Sequence, residues 1–497
     1  MTQLTKIEIF NPNAPNLKAI DLTAWPEWPF LALLLILRLF TAGSAGLVPD
    51  ESYYWLWAQH LSAGYYDHPP MVAWWIWAGT LFSDSAFWVR LPFVLSFVAL
   101  CVVVYDTAHL LFSDSVARRA VVWLNASLLL SVGSVIATPD PPSVLFWASA
   151  LWALARLIRS GKGMWWLVFG LFAGLGCLAK YTNLFLGLGV LLWFILDAPA
   201  RRWLRTPWPW LSAILAVAVL SPNLFWNANH GWLTVDKQFG RIGASHFTLQ
   251  YLIEFLISQP LLLNPLIFAF VALGASAWLR NRGDDGLALL IAIPLPFIAY
   301  LLIHVFHDRI QGNWPAPLYP GLILLAAAIA QSASEKWTWL CKAAAPLGIV
   351  LSLAALLYLA LGQGLTGAAG LSLGWDRLSS QIVAKAQASG ATWVATTDYD
   401  MQGELSYHVR QIPVIGVSER DRYSWPSHEA ALIASPALIV VTTKHTPDLA
   451  QCFSELADLG TASRLKKADR KSDAHLYRGR LKYVGCDVSI EPMSPQE

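Results

Sequence analysis

Between residues 29 and 362 the chain returns repeatedly to long apolar runs, more than a water-soluble core could absorb. About eleven of them, at roughly 29–48, 86–111, 119–138, 142–158, 164–180, 182–197, 207–226, 249–279, 286–305, 315–332 and 338–362, approach the ~20 residues a helix needs to cross a bilayer core. Composition agrees, with 56% hydrophobic and 13% charged residues against about a quarter charged in soluble domains. The 26 Trp, 22 Phe and 15 Tyr suit many membrane–water interfaces, where amphipathic rings settle. The expected fold is mainly α, a polytopic membrane helix bundle. A net charge of +2 leaves no footprint for nucleic acid.

Numbering the connections alternately separates two kinds of loop. One set carries Arg118 and Arg119, then Arg156, Arg159 and Lys162, then Arg201, Arg202 and Arg205, then Arg280 and Arg282, then Lys336 and Lys342. Short loops rich in Lys and Arg face the cytoplasm. The other set is rich in Asp, His, Asn and aromatics, so function is expected on the outer side. The polar N-terminus is too long for a cleaved signal, and the first run is expected to remain as an anchor. The expected organisation is a cytoplasmic segment at 1–28, a membrane domain at 29–362 with an outer loop at 49–85, and an outer domain at 363–497. In that last part GWDRLSSQIVAKAQASG reads as an amphipathic helix, ATWVATTD and ALIVVTTK as buried strands, and PDLAQCFSELADLG as a further helix. A small α/β domain results. Cys452 and Cys486 form an even pair there, able either to join as a disulfide in an oxidising compartment or to stay as free thiols.

The outer loop from Asp50 to Pro70 holds most of the candidate chemistry. Asp50 and Glu51 stand where the first span ends, a helix C-terminus that offers acids nothing, and ionisable groups at membrane depth are functional candidates. The segment SYYWLWAQHLSAG is expected to be a helix along the interface. Tyr65, Tyr66, Asp67 and His68 then precede Pro69 and Pro70, which end the helix and hold Asp67 and His68 at a fixed angle. Asp67 and His68 together can bind a divalent cation or a phosphate, a minimal metal candidate, or form only an Asp–His hydrogen bond that shapes the loop; with Tyr65 and Tyr66 they are candidate substrate-binding residues. No other cofactor is indicated. Asp140, set between Pro139 and Pro141, is rigidly placed, either near a reaction centre or as a helix N-cap. Lys180, Tyr181, Lys237, Arg241, Arg309 and Asn313 add cations and polar groups on the same side, suited to phosphate. Arg38, inside the first span, is expected to be paired within the bundle.

The ordered set Asp50-Glu51, Tyr65-Tyr66-Asp67-His68-Pro69-Pro70 and Asp140 resembles glycosyltransferase family 39 of the GT-C superfamily, which includes protein O-mannosyltransferases and lipid A aminoarabinose transferases. That resemblance implies an inverting transfer of sugar from a polyprenyl-phosphate donor to a glycolipid or protein acceptor at the outer face of a bacterial inner membrane. It implies Asp50 as general base, assisted by Asp140, with Lys180 and Arg309 foremost among the cations beside the leaving phosphate. Where the aminoarabinose transferases typically carry Glu-Lys before the prolines, this chain has Asp67-His68. Two other readings are a transporter or flippase of lipid-linked sugars and a ligase using a pyrophosphate-linked glycan. Transporters place their sites on broken helices at the midplane, whereas the unusual residues here gather on one side.

Overall fold

A computed structural model describes residues 25–240, 247–280, 284–361, 371–425, 429–442, 445–465 and 473–492. The chain divides into two compact units. One runs through Ala42 and takes in His68–Val72 and Arg90–Leu357; the other takes in Gly43–Asp67, Ala73–Val89 and the described residues from Tyr358 onward. The outer loop therefore groups largely with the C-terminal region.

The first unit is helical. Among the described residues five helices are long and apolar enough to cross a membrane, at Ala86–Leu111, Asp140–Ser160, Trp208–Asn229, Asp285–His304 and Glu335–Leu361, or up to eight if each of three bent pairs is one span. Shorter apolar helices follow at Met164–Ala179 and Ala316–Gln331. Close crossings depend on small residues: a Cβ on Gly170 would stand 2.4 Å from the Ser212 carbonyl oxygen, and one on Gly174 2.8 Å from that of Ala216. Without a hydrophobic force between helices in lipid, such backbone approach supplies the packing. Arg38 is buried in this unit and donates to Asn125 Oδ1 at 3.0 Å and to Ser131 Oγ at 2.7 Å, with the Phe97 ring 4.3 Å from its guanidinium. The expected pairing is thus met by neutral acceptors, and no carboxylate is among its described partners.

The second unit is built on a five-stranded sheet in the order β2-β1-β3-β6-β5: β1 is Trp393–Thr396, β2 Val414–Gly416, β3 Pro436–Thr442, β5 Phe453–Ser463 and β6 Asp473–Leu481. Strand β1 runs parallel to β2 and β3, while β6 is antiparallel to β3 and β5. A separate ribbon pairs β4, His445–Pro447, with β7, Ile490–Pro492. Alternation along the strands gives the sheet two apolar faces. Val394, Leu438, Val440 and Leu476 meet Leu378, Ile382 and Ala386 of the helix Trp375–Ser389. Trp393, Ala395, Ile439 and Val441 face Phe453, Cys452 and Cys486. Cys452 and Cys486 are joined as a disulfide, with Cα atoms 5.6 Å apart.

One element departs from expectation. The segment expected as a helix after Pro447 gives only one turn, Leu449–Cys452, before becoming β5. Its Ser-Glu-Leu-Ala-Asp-Leu composition favours helix, but pairing with β6, through two register irregularities, overrides the local preference. Most of β5 is exposed, so no apolar alternation marked it as a strand.

Candidate active site

In the second unit, Val48 is extended, Pro49 opens the helix Pro49–Ala58, and Glu51 Oε2 accepts the Val48 N–H at 3.0 Å. This is a capping box closed from its carboxylate side. Asp50 and Glu51 therefore lie in the first turn of a new helix and not at the end of the preceding span, which stops at Ser44. The dipole argument reverses: both acids are favoured at a helix N-terminus. The helix ends before His60, whose ring stacks on Trp425 at 4.7 Å.

A second helix, Tyr399–His408, crosses it closely. Gly403 makes the approach possible, since a Cβ there would stand 2.6 Å from the Tyr53 backbone nitrogen. Asp398 caps this helix through the Asp400 and Met401 N–H groups, at 3.0 and 3.2 Å. Tyr399, beside the cap, is close enough to Asp50 to favour its charged form. The Asp50 side chain is exposed, so crowding by protein rather than full enclosure acts on it. That desolvation, with repulsion from Asp400, Asp67 and Glu51, outweighs the opposing influence of Tyr399 and raises its pKa to about 6. Beneath the same helix pair lies Glu404, fully buried, its carboxylate 3.5 Å from His408 Nε2. Burial pushes it up to about 7 despite the partial relief from His408 and Ser52.

Tyr65 is buried and structural: its ring stacks on Trp57 at 4.4 Å, and its hydroxyl donates to the Trp57 and His60 carbonyls and accepts the Ser62 N–H. Asp67 Oδ2 accepts hydrogen bonds from the Tyr53 hydroxyl, at 3.0 Å, and from Arg422 Nη1. Tyr66 lies against the same guanidinium, 5.1 Å away. The candidate cation site at Asp67 and His68 is not supported. An arginine already neutralises Asp67, and the described residues contain no group of three or more His, Cys, Asp or Glu side chains able to hold a metal ion. Two donors alone make a weak site.

In the first unit a different cluster forms. The helix Met164–Ala179 ends at Lys180, which is extended, and a 3-10 turn follows at Tyr181–Leu184. Asn183 ties that turn to the helix Asp140–Ser160 by donating to Ser143 Oγ at 2.6 Å. Lys180 Nζ is thereby held 2.7 Å from Asp140 Oδ1, and Asn313 Nδ2 donates to the other oxygen at 2.5 Å. Asp140 is the first residue of its helix, with Pro139 as N-cap, and makes no capping hydrogen bond. The Tyr181 hydroxyl donates to Asn223 Oδ1 at 2.6 Å and accepts from Asn227. Arg309, exposed, forks onto Glu254, with Nε 2.9 Å from Oε1. Lys237 lies on the short helix Leu233–Phe239, and Arg241 falls outside the described residues.

The sequence thus named Asp50, Asp67, Asp140, Lys180 and Asn313 within their clusters. It missed Tyr399, Asp400, Glu404 and Arg422, which no local pattern distinguishes.

Comparison with known proteins extends the geometry. The family described as dolichyl-phosphate-mannose-protein mannosyltransferase matches residues 67–226. A lipid A galacturonosyltransferase, RgtD of Rhizobium johnstonii, is 29% identical over 387 residues, which cover 73% of this chain and 77% of that protein. Among solved structures, ArnT from Cupriavidus metallidurans bound to undecaprenyl phosphate superposes with a TM-score of 0.66 at 14% identity, over 90% of this chain and 97% of ArnT. Its apo state gives 0.62. At that identity the likeness concerns fold, while the sequence matches concern chemistry. Apolar helices, matched segment and the relative in sequence converge: the chain is a multi-pass membrane glycosyltransferase, and its fold is similar to that of ArnT.

Proposed function

We propose that the chain is an inverting transferase that moves a sugar from a polyprenyl-phosphate donor to a hydroxyl of a lipid A or LPS-type glycolipid, at the periplasmic face of a bacterial inner membrane. The observation that carries this reading is Asp50, an exposed carboxyl at a helix N-terminus whose proton affinity has been raised toward neutrality by crowding and by neighbouring acids. A general base works best with a pKa near the working pH. The Asp50 carboxylate takes the proton from the acceptor hydroxyl as its oxygen attacks the anomeric carbon. The bond from that carbon to the phosphate oxygen breaks on the opposite side, and polyprenyl phosphate departs. Within the membrane unit, Lys180, oriented by Asp140 and Asn313, is a cation suited to a phosphate. Glu51 is assigned to holding the helix that presents Asp50.

The glycolipid acceptor is favoured over a protein hydroxyl by the lipid A activity named for the relative RgtD, and the carrier by the undecaprenyl phosphate bound to ArnT. Eleven spans with the N-terminus in the cytoplasm would put the loop and the C-terminal α/β region outside. The basic loops support that arrangement, as does the Cys452–Cys486 disulfide, which persists in oxidising compartments. Mass spectrometry of lipid A and other envelope glycans from a strain lacking the chain tests the proposal. A glycolipid species one sugar lighter is expected, restored by the wild-type chain. An unchanged set of envelope glycolipids would overturn it.

A further inference from the structure

Arg422 sits in a polar stretch of the C-terminal region that carries no recognisable motif, yet it is only 7% exposed. Its Nε and Nη2 donate to Glu419 at 2.8 and 3.1 Å, and Nη1 donates to Asp67, 355 residues away in sequence. Three rings surround the guanidinium, with centroids 4.5 Å away for Tyr399, 5.1 Å for Tyr66 and 6.0 Å for Tyr53. Two of those rings lead to the acids of the loop: the Tyr53 hydroxyl donates to the oxygen of Asp67 that Arg422 holds, and Tyr399, at the start of the helix that crosses Pro49–Ala58, favours the charged form of Asp50. The turn that carries Arg422 is specially built. Glu419 has φ +48°, a left-handed conformation uncommon outside glycine. From behind, Arg420 donates twice to the Cys486 carbonyl, at 3.0 and 2.6 Å, tying the turn to the disulfide.

We infer that Arg422 is a positioning residue for the transfer reaction, fixing the Asp67 carboxylate and the Tyr399 ring so that Asp50 is presented as the base. This rests on the glycosyl-transfer reading above. The chemistry needs an arginine because only a planar fork can serve two carboxylates and stack on rings at once. Asp50 is faced by Glu51 from its own helix, by Asp67 from the loop, and by Tyr399 and Asp400 from the crossing helix. Arg422 is faced by Glu419, Asp67, Tyr53, Tyr66, Tyr399 and Tyr423. Without the guanidinium, Asp67 keeps its charge uncompensated and repels Asp50 more strongly, so the base form requires a higher pH.

The test uses permeabilised cells of the deletion strain expressing each full-length variant, which supply their own donor and acceptor. Product is the glycolipid species that vanishes on deletion, followed by mass spectrometry between pH 5 and 8. For R422Q the yield at pH 6 is expected to fall at least about tenfold, and the acid limb of the rate to move up by about half a unit or more. The double variant D67N/R422Q is expected to recover part of that loss, because the uncompensated charge is gone. R422K keeps the charge without the fork, so its limb stays in place while turnover falls. A residue that merely stapled the domain would give neither the shifted limb nor the recovery. R422K at wild-type turnover, R422Q with an unmoved limb, or a double variant no better than R422Q would each overturn the inference. Should R422Q fail to accumulate, R422K and the double variant decide. Absence of any chain-dependent glycolipid in wild-type cells refutes the transfer reading itself, whereas wild-type product with indifferent Arg422 variants refutes only the role of Arg422.

Discussion

Asp50 and Asp140 both stand in the first turn of a helix, but their surroundings are opposite. Asp140 has one oxygen on Lys180 and the other on Asn313, and its side chain is largely buried. Asp50 is exposed, is crowded by Asp400, Asp67 and Glu51, and is relieved by the Tyr399 hydroxyl. A carboxylate pressed by other acids holds its proton more readily, whereas the oxygens of Asp140 are occupied by a cation and an amide. Under the proposed function the pair divides the labour that the sequence assigned jointly: Asp50 is the proposed base, while Asp140 holds a lysine in place.

Substitution separates the two most sharply. Asp50→Asn is expected to lower turnover by about 10³-fold, the scale of a lost general base, with membrane insertion and the Cys452–Cys486 disulfide retained. Lys180→Met should cost about 10²-fold, as when a preorganised charge is removed from a developing anion, whereas Asp140→Asn, which leaves a hydrogen-bonding group beside Lys180, should cost about tenfold. Steady-state kinetics on purified variants reads all three. If Asp140→Asn proves as severe as Asp50→Asn, the division of labour is wrong.

The pH profile is the next discriminator. With its pKa raised to about 6, Asp50 is ionised above that pH and protonated below it. A base must be ionised to act, so turnover should rise with pH through about 6 and then level, dropping about tenfold one unit below the midpoint. Asp140→Asn should leave this limb in place; a limb that disappears with Asp140 would transfer the base to that residue.

Glu404 gives a smaller, structural effect. Its folded pKa of about 7 lies above the 4.5 of the free side chain, so its stabilising proton is fully present below about 4.5 and lost as pH rises through 7. Burial pulls His408 down, but Glu404 and Asp376 more than offset it and leave it raised, which adds loss in the same direction. Glu404→Gln should flatten the fall of the thermal midpoint between pH 5 and 8 by a few degrees, measured by calorimetry. A slope equal to that of the wild type would remove Glu404 as its source. Least of all, Arg309→Ala should change turnover by less than about threefold, since an exposed ion pair such as that with Glu254 contributes little.

How much of this was legible in the sequence follows from what local pattern can encode. Apolar run length marked several of the long apolar helices, and strand-like runs marked β1 and β3, because those signals are one-dimensional. Run length did not reveal that the chain breaks at Ser44 and starts a new helix at Pro49, so Asp50 was singled out for its position on the wrong helix end. The edge strand β5 was taken for a helix because its pairing partner, not its own residues, decides its state. Arg422 and Tyr399 were invisible for the same reason, since their importance lies in contacts with a loop more than three hundred residues earlier.

The most direct measurement uses purified chain in lipid vesicles, a polyprenyl-phosphate donor with a labelled sugar, and lipid A as acceptor, comparing wild type with Asp50→Asn at pH 7.5. Labelled lipid A from the wild type and almost none from the variant is the expected result. Label that crosses the bilayer without reaching lipid A, or equal product from both proteins, would contradict glycosyl transfer with Asp50 as its base.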